Sequence, residues 1–182
     1  EQISLAGKEA SGTSNMKLMA NGAMTLATLD GANIEIKEYV GEDNIVVFGL
    51  SSTEVDQLNQ SHAYHSKSLY ESNERLNRVL NALIDGTIPN AQQEGEAVFD
   101  SLVHYNDEYY VLEDFDDYIA AQDKIDQLYA DKKAWNRKSL LNIAASAPFS
   151  ADYTIKRYTE EIWKAKPQCT DKEGVQPLNE PI

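Results

Sequence analysis

The segment GKEASGTSNMKLMANG, residues 7–22, is the densest concentration of potential chemistry in the 182-residue chain. Ser11, Gly12, Thr13 and Ser14 precede an apolar-periodic stretch, so the spacing predicts a helix opening near Thr13. The first turn of a helix leaves N–H groups without intrahelical partners, with the positive end of the helix dipole behind them. Small residues there let an anion approach. Lys17 follows Thr13 by four residues, so its side chain rises from the same face about one turn further on. A phosphate at the helix start and an amine one turn above it match the two attachments of pyridoxal 5′-phosphate, a phosphate cradle and a lysine Schiff base. On spacing alone, the ordinary alternative is a capped helix with a solvated lysine. The Walker A pattern GxxxxGK[ST] is absent.

Other polar clusters read more plainly. Asp30, Gly31, Ala32 and Asn33 follow a predicted strand and open a helix. They could make a second phosphate turn, but a βα turn with Asp30 as the helix cap is the simpler expectation. His62, His65 and His104 have no coherent metal-ligand spacing and are expected at the surface. Glu113, Asp114, Asp116 and Asp117 lack the EF-hand pattern and stand at a predicted helix start, where negative charge is favoured anyway. Trp135 and Trp163, with Tyr153 and Tyr158, lie at helical spacing and read as packing residues rather than a sugar-stacking platform.

These residues must be positioned by elements of two styles. AMTLATL (23–29) and NIVVFG (44–49) read as parallel strands, and each is followed by a helix signal. ANIEIKEYV follows the first; after the second, Ser51 and Glu54 form a possible capping box opening TEVDQLNQ. Strand, turn and helix in repeated order indicate an α/β layered fold. The remainder is helical in period. NERLNRVLNALI (73–84) places Leu76, Val79, Leu80 and Leu83 on one face, and Pro89 ends that region. EAVFDSLVHY (96–105) makes another helix, and YYVL (109–112) is a candidate last strand. DFDDYIAAQDKIDQLYAD and KKAWNRKSLLNIAAS follow as amphipathic helices, and Ser150 caps ADYTIKRYTEEIWK. Residues 164–182 carry three prolines and little apolar content and read as a disordered tail. So few strands cannot complete a covered parallel sheet, and the chain starts without methionine in strand-like sequence. The expectation is a piece of a longer chain, with the other strands upstream of Glu1.

A formal charge of -14, from 16 Lys plus Arg against 30 Asp plus Glu, argues against nucleic acid and anionic membranes as partners. Any anion site must therefore be local. The single cysteine, Cys169, allows no intrachain disulfide or zinc knuckle, and no signal peptide or membrane span is visible, so a cytoplasmic setting is expected.

EASGTSNMKLMANGAMTLATLDGANIEI closely resembles the cofactor attachment segment of the α-glucan phosphorylases (glycogen, maltodextrin and starch phosphorylases), and the likeness continues to EEIW near the C-terminus. The resemblance covers about the last fifth of such an enzyme. It implies a partial Rossmann-like parallel sheet of the GT-B glycosyltransferase type, followed by a largely helical region, with residues 1–163 as the C-terminal part of the catalytic domain. It implies pyridoxal 5′-phosphate on Lys17 of the NMK triplet, with Gly12, Thr13 and Ser14 as the cradle for its phosphate. Glu9, Ser11 and Gly12 fall where the family holds the hydroxyls of the transferred glucosyl group. The implied reaction uses inorganic phosphate to release α-glucose 1-phosphate from an α-1,4-glucan. In it the cofactor's own phosphate exchanges a proton with the substrate phosphate.

Two positions depart from the usual pattern. Ser14 replaces a frequent glycine, and Ala20 stands where leucine or methionine is usual, which would thin the packing behind the helix unless Met19 or Met24 fills the space. The family's remaining catalytic groups come from chain outside this segment. The missing N-terminal part is therefore the expected partner, the parent is expected to be a homodimer, and these 182 residues alone are expected to be inactive. YTIKRYTEEIWK (153–164) should show an apolar stripe without its partner, an invitation to self-association. The alternative from another class is a binding or assembly module that keeps the motif without loading cofactor.

Overall fold

In the computed structural model, which describes residues 1–9 and 11–166, the two expected strands pair in parallel. Strand β1 (Leu26–Ala27) lies beside β2 (Val46–Val47), with Leu26 opposite Val46 and Ala27 opposite Val47. Gln2 bridges to Ala27 in parallel on the other side, so β1 is the middle row. Both strands are shorter than the apolar segments around them. The ends of the first turn away from the ladder, Ala23 donating back to Leu18 O and Asp30 to Thr28 O.

Helix α1 (Thr13–Ala20) precedes β1, and α2 (Ala32–Val40) joins β1 to β2. Ala32, Asn33, Ile36 and Val40 turn inward, the spacing of one buried helical face. Ala20 is exposed and Met19 wholly buried, so the short side chain at 20 leaves no gap behind α1; the expected thinning does not arise because residue 20 faces outward. Asp30 does not cap α2. That helix begins after Gly31 without a side-chain cap, while Asp30 Oδ2 accepts the N–H groups of Lys8 at 3.1 Å and Glu9 at 2.6 Å.

Helix α3 (Ser52–Ser61) opens with the expected capping box: Ser51 Oγ accepts the Glu54 N–H at 3.3 Å, and the Glu54 carboxylate accepts the Ser51 N–H at 2.8 Å. Helices α4 (Ser66–Ser72), α5 (Glu74–Asn81) and α6 (Gln92–Phe99) follow, and α6 runs on through a π-helical turn, Asp100–His104. Leu76, Leu80, Phe99, Val103 and Leu112 form the core of this region. Val79, expected on the same face, is 45% exposed because the Leu76–Leu80 line defines the inner side of α5 and Val79 falls beside it. YYVL is a turn, not a strand. Tyr110 has φ 53°, and the Leu112 N–H is bound by the buried Asp107 carboxylate at 2.8 Å, so the backbone cannot join a ladder.

Two long helices, α7 (Phe115–Ala130) and α8 (Lys132–Ala145), complete the unit Glu1–Ala147. Ala121 of α7 packs with Leu26 and Phe48 beneath the sheet, and α8 packs against α1 and α2. In the second unit, Pro148–Ile182, Ser150 Oγ accepts the Tyr153 N–H at 3.2 Å and caps α9 (Ala151–Arg157), which continues into a π-helical turn, Tyr158–Trp163. Tyr153, Ile155, Tyr158, Ile162 and Trp163 are exposed there. The tail expected from Lys164 falls outside the described residues from 167 onward. Among the described residues, no helix is long and apolar enough to cross a membrane, and no group of three or more His, Cys, Asp or Glu side chains could hold a metal ion.

Candidate functional site

The loop before α1 is built around one carboxylate. Glu9 Oε2 accepts hydrogen bonds from Gln2 Nε2 at 2.9 Å and Ser4 Oγ at 2.7 Å, while Oε1 accepts the N–H groups of Ser11 at 3.2 Å and Gly12 at 3.0 Å. The Gln2 amide contributes most, followed by Ser4 and the two backbone donors. Together they hold the Glu9 carboxyl down at about 2, so it is ionised at any ordinary pH. The N–H groups of Ser11 and Gly12 are thus turned inward to Glu9.

Gly12 stands at the N-cap of α1 in the left-handed conformation, φ 63° and ψ 19°. Glycine is required there twice over. The conformation disfavours a side chain, and a Cβ would lie 2.8 Å from Ala32 Cβ and 3.1 Å from Ala32 N at the start of α2. Thr13 and Ser14 are exposed in the first turn of α1, and their N–H groups have no acceptor among the described residues. Lys17, four residues after Thr13, is exposed and makes no ion pair among the described residues. The structure thus brings Glu9, Ser11 and Gly12 into direct contact, continues through Thr13 and Ser14 along one turn, and leaves Lys17 available on the turn above.

Behind this surface runs a polar chain that sequence reasoning missed. Gln2 holds Glu9 with its amide nitrogen and accepts from Asn33 Nδ2 with its oxygen at 2.6 Å; Asn33 also donates to Thr28 O at 3.0 Å. Asn33 Oδ1 accepts from Asn15 Nδ2 at 2.7 Å, and Thr28 Oγ1 donates to Ser4 O at 2.6 Å. Asn15, Thr28 and Asn33 are all buried. A legible signal did exist: Asn15 and Asn33 occupy inward positions in the first turns of their helices, where an apolar residue is the default. From the far side, α8 braces the segment, Ser139 Oγ donating to Gly22 O at 2.7 Å and Asn142 Nδ2 to Asn44 O at 2.9 Å.

The donor set suits a phosphate-bearing aldehyde. A phosphate needs convergent donors, which the N–H groups and hydroxyls of Thr13 and Ser14 offer at a helix N-terminus, and an aldehyde needs an accessible amine, which Lys17 offers. The ionised Glu9 presents an acceptor suited to hydroxyl groups rather than to phosphate.

Residues 1–165 match the carbohydrate phosphorylase family. Over 167 residues, 92% of its length, the chain is 48% identical to the glycogen phosphorylase of Bacillus subtilis (strain 168) and 43% identical to the liver form of glycogen phosphorylase from Homo sapiens. It is 45% identical to the glycogen phosphorylase of Haemophilus influenzae over 168 residues. The chain spans 20–21% of the length of these curated relatives. Identity at this level across nearly the whole sequence, including the segment that builds the Glu9 loop and α1, establishes that the chain belongs to the carbohydrate phosphorylase family.

Proposed function

We propose that the chain forms the cofactor-bearing part of a pyridoxal 5′-phosphate-dependent α-1,4-glucan phosphorylase, which uses inorganic phosphate to release α-glucose 1-phosphate from glycogen or maltodextrin. The observation that carries this reading is the start of α1, where an accessible lysine stands one turn above the N–H groups of the exposed Thr13 and Ser14, and where the loop just before them holds the Glu9 carboxylate ionised. Kinship with proteins named glycogen phosphorylase supports it.

In this reading Lys17 anchors the cofactor through its aldehyde carbon, and Thr13 and Ser14 cradle the phosphate with their N–H groups and hydroxyls. Gly12 keeps the approach free of side-chain bulk, its own N–H remaining on Glu9. The cofactor's contribution when bound is its 5′-phosphate, a group whose second ionisation lies near neutrality and which can hold or yield a proton. Glu9, Ser11 and Gly12 contact the glucosyl group, with the Glu9 carboxylate as the acceptor for its hydroxyls. A carboxylate offers about four lone-pair sites, and Glu9 already has four donors. A sugar hydroxyl must therefore exchange with one of them, and the Ser11 N–H, at 3.2 Å the longest, is the readiest to yield.

The parallel β1–α2–β2 unit supports assignment to a Rossmann-like sheet of the GT-B type, completed by further chain, with residues 1–163 as part of one catalytic domain and 164–182 as a tail. A net charge of -14 gives these 182 residues no general means of capturing substrate phosphate, so alone they are expected to show no phosphorolysis. The same reading places the parent in the cytoplasm as a homodimer. The test is titration with pyridoxal 5′-phosphate, borohydride trapping and peptide mapping, on the wild type and Lys17→Ala. A single trapped adduct at Lys17, absent from the variant, is the expected result. Scattered labelling, or none, would overturn an assembled cofactor site in this chain and favour a module that keeps the motif without its cofactor.

A further inference from the structure

We propose that Asp30, Gly31, Ala32 and Asn33 form a positioning platform for residues 8–15, with Asp30 fixing the backbone at Glu9. The functional part of this proposal rests on reading residues 9–17 as a sugar and cofactor site. Four consecutive residues meet that segment in matching order. Asp30, only 8% exposed, receives two successive N–H groups, those of Lys8 and Glu9, on one carboxylate oxygen. Two such bonds fix the peptide plane entering Glu9, and with it the direction in which the Glu9 side chain leaves the backbone. Gly31, at φ 51°, lies directly against that side chain: a Cβ there would be 2.7 Å from Glu9 Cγ. Ala32 is the floor under Gly12, and Asn33 binds Asn15 of α1 across a buried 2.7 Å hydrogen bond. A turn serving only to connect β1 to α2 would need none of these contacts and would aim the Asp30 carboxylate at the N–H groups of α2. Here α2 starts uncapped and the carboxylate faces the site segment instead.

Glu9 is thus held at both ends, its carboxylate by Gln2, Ser4, Ser11 and Gly12 and its backbone by Asp30. Asp30 touches neither sugar nor cofactor in this scheme and acts through Glu9. Position and charge act on Glu9 with opposite signs. Removing the Asp30 charge alone would let Glu9 ionise more easily, whereas losing the position would strip Glu9 of its donors and make ionisation harder.

The experiment is residue-resolved NMR of the 182-residue chain, comparing wild type with Asp30→Ala, Asp30→Asn and Gly31→Ala. It reads the Glu9 carboxyl titration and the amide exchange of Lys8 and Glu9, with the Phe48 amide, bonded to Ala27 O in the sheet, as the control for global stability. Asp30→Ala is expected to speed exchange at Glu9 by about ten- to a hundredfold relative to Phe48, with a smaller change at Lys8, whose N–H keeps Leu5 O as acceptor at 2.9 Å, and to move the Glu9 titration up from about 2 toward its ordinary 4.5. Asp30→Asn, whose amide oxygen still accepts both N–H groups, should keep exchange close to wild type and should not raise the Glu9 titration. Gly31→Ala should raise the Glu9 titration with the Asp30 carboxylate intact, and it carries the test if Asp30→Ala does not fold. A Glu9 titration that stays near 2 in Asp30→Ala or, failing that variant, in Gly31→Ala overturns the proposal. So does exchange that quickens equally at Phe48, which would make Asp30 a general stabiliser. None of these readouts needs cofactor, so failure to trap an adduct at Lys17 tells against the functional reading, and an unmoved Glu9 tells against the platform.

Discussion

Two carboxylates hold two loops in the unit Glu1–Ala147, and they titrate in opposite directions. Glu9 collects four hydrogen-bond donors at a partly open surface and is driven down to about 2. Asp114, at the start of α7, receives one backbone donor, the Leu50 N–H at 2.8 Å, and is pushed up to about 6. Burial is the main cause, and the charges of Asp117, Glu113 and Asp107 add to it against the pull of that single bond. Both acids tether backbone. The outcome differs because donors stabilise the ion in one place and withdrawal from water destabilises it in the other.

The two loops are most sensitive at their glycines. Gly12→Ala would drive a methyl into the backbone start of α2 from a left-handed residue, and we expect a loss of about 2–4 kcal/mol in urea unfolding. Gly49, at φ 79°, faces only the end of the Asp114 side chain: an added Cβ would lie 2.6 Å from Asp114 Oδ2, and that carboxylate can swing aside. Gly49→Ala should therefore cost less, about 1–2 kcal/mol, and should lower the Asp114 pKa as its carboxylate moves toward water. Equal costs at the two sites would deny the distinction between a fixed and a yielding neighbour.

pH sharpens the contrast. The folded state binds the Asp114 proton more tightly than the unfolded state does, so this group's contribution to stability rises as pH falls from about 6 toward its ordinary 3.8. Asp114→Asn should be more stable than wild type at pH 7, on the order of 1 kcal/mol once solvent screening is allowed for, and the advantage should fade by about pH 4. Glu9 has the reverse sign: its contribution is complete above 4.5 and is lost as pH falls toward 2. Glu9→Gln should flatten the wild-type loss of stability across that acid range. Parallel pH profiles for the two variants would refute the opposed shifts. The smallest effect is expected at Ser51, whose cap opens α3 just beyond the loop that Asp114 holds. Ser51→Ala should cost about 0.5–1 kcal/mol while leaving the Asp114 titration in place.

The sequence made the helices and the parallel pair legible because they depend on local signals. Thr13 opens α1 after a run of small residues, Ser51 and Glu54 form their box, and Ser150 caps α9, all within a few residues of chain. Lys17 and the turn before it were visible for the same reason. What stayed hidden depends on distant partners. Asp30 sits where a cap belongs, yet its carboxylate answers Lys8 and Glu9, more than twenty residues earlier. YYVL has strand composition, but Asp107 and the left-handed Tyr110 turn it aside. Val79 has the right period and the wrong side of the helix. Asn15 and Asn33 stand at inward helix positions, but that Gln2 and Thr28 complete a chain with them is visible only once the elements are packed.

The brace from α8 sets an order of events on the ribosome. Ser139 reaches Gly22 across 117 residues, and Asn142 reaches Asn44 across 98. At translation rates of roughly 5–20 residues per second, the Glu9 loop and α1 emerge roughly 6–23 s before the residue that holds Gly22. Closing so long a loop is entropically only modestly harder than closing a short one, but it cannot begin until the second partner exists. The segment around Gly22 is thus made well before the residues that lock it. Through that interval, the local ties from Asp30 and Gln2 are what can keep the Glu9 loop near the finished shape.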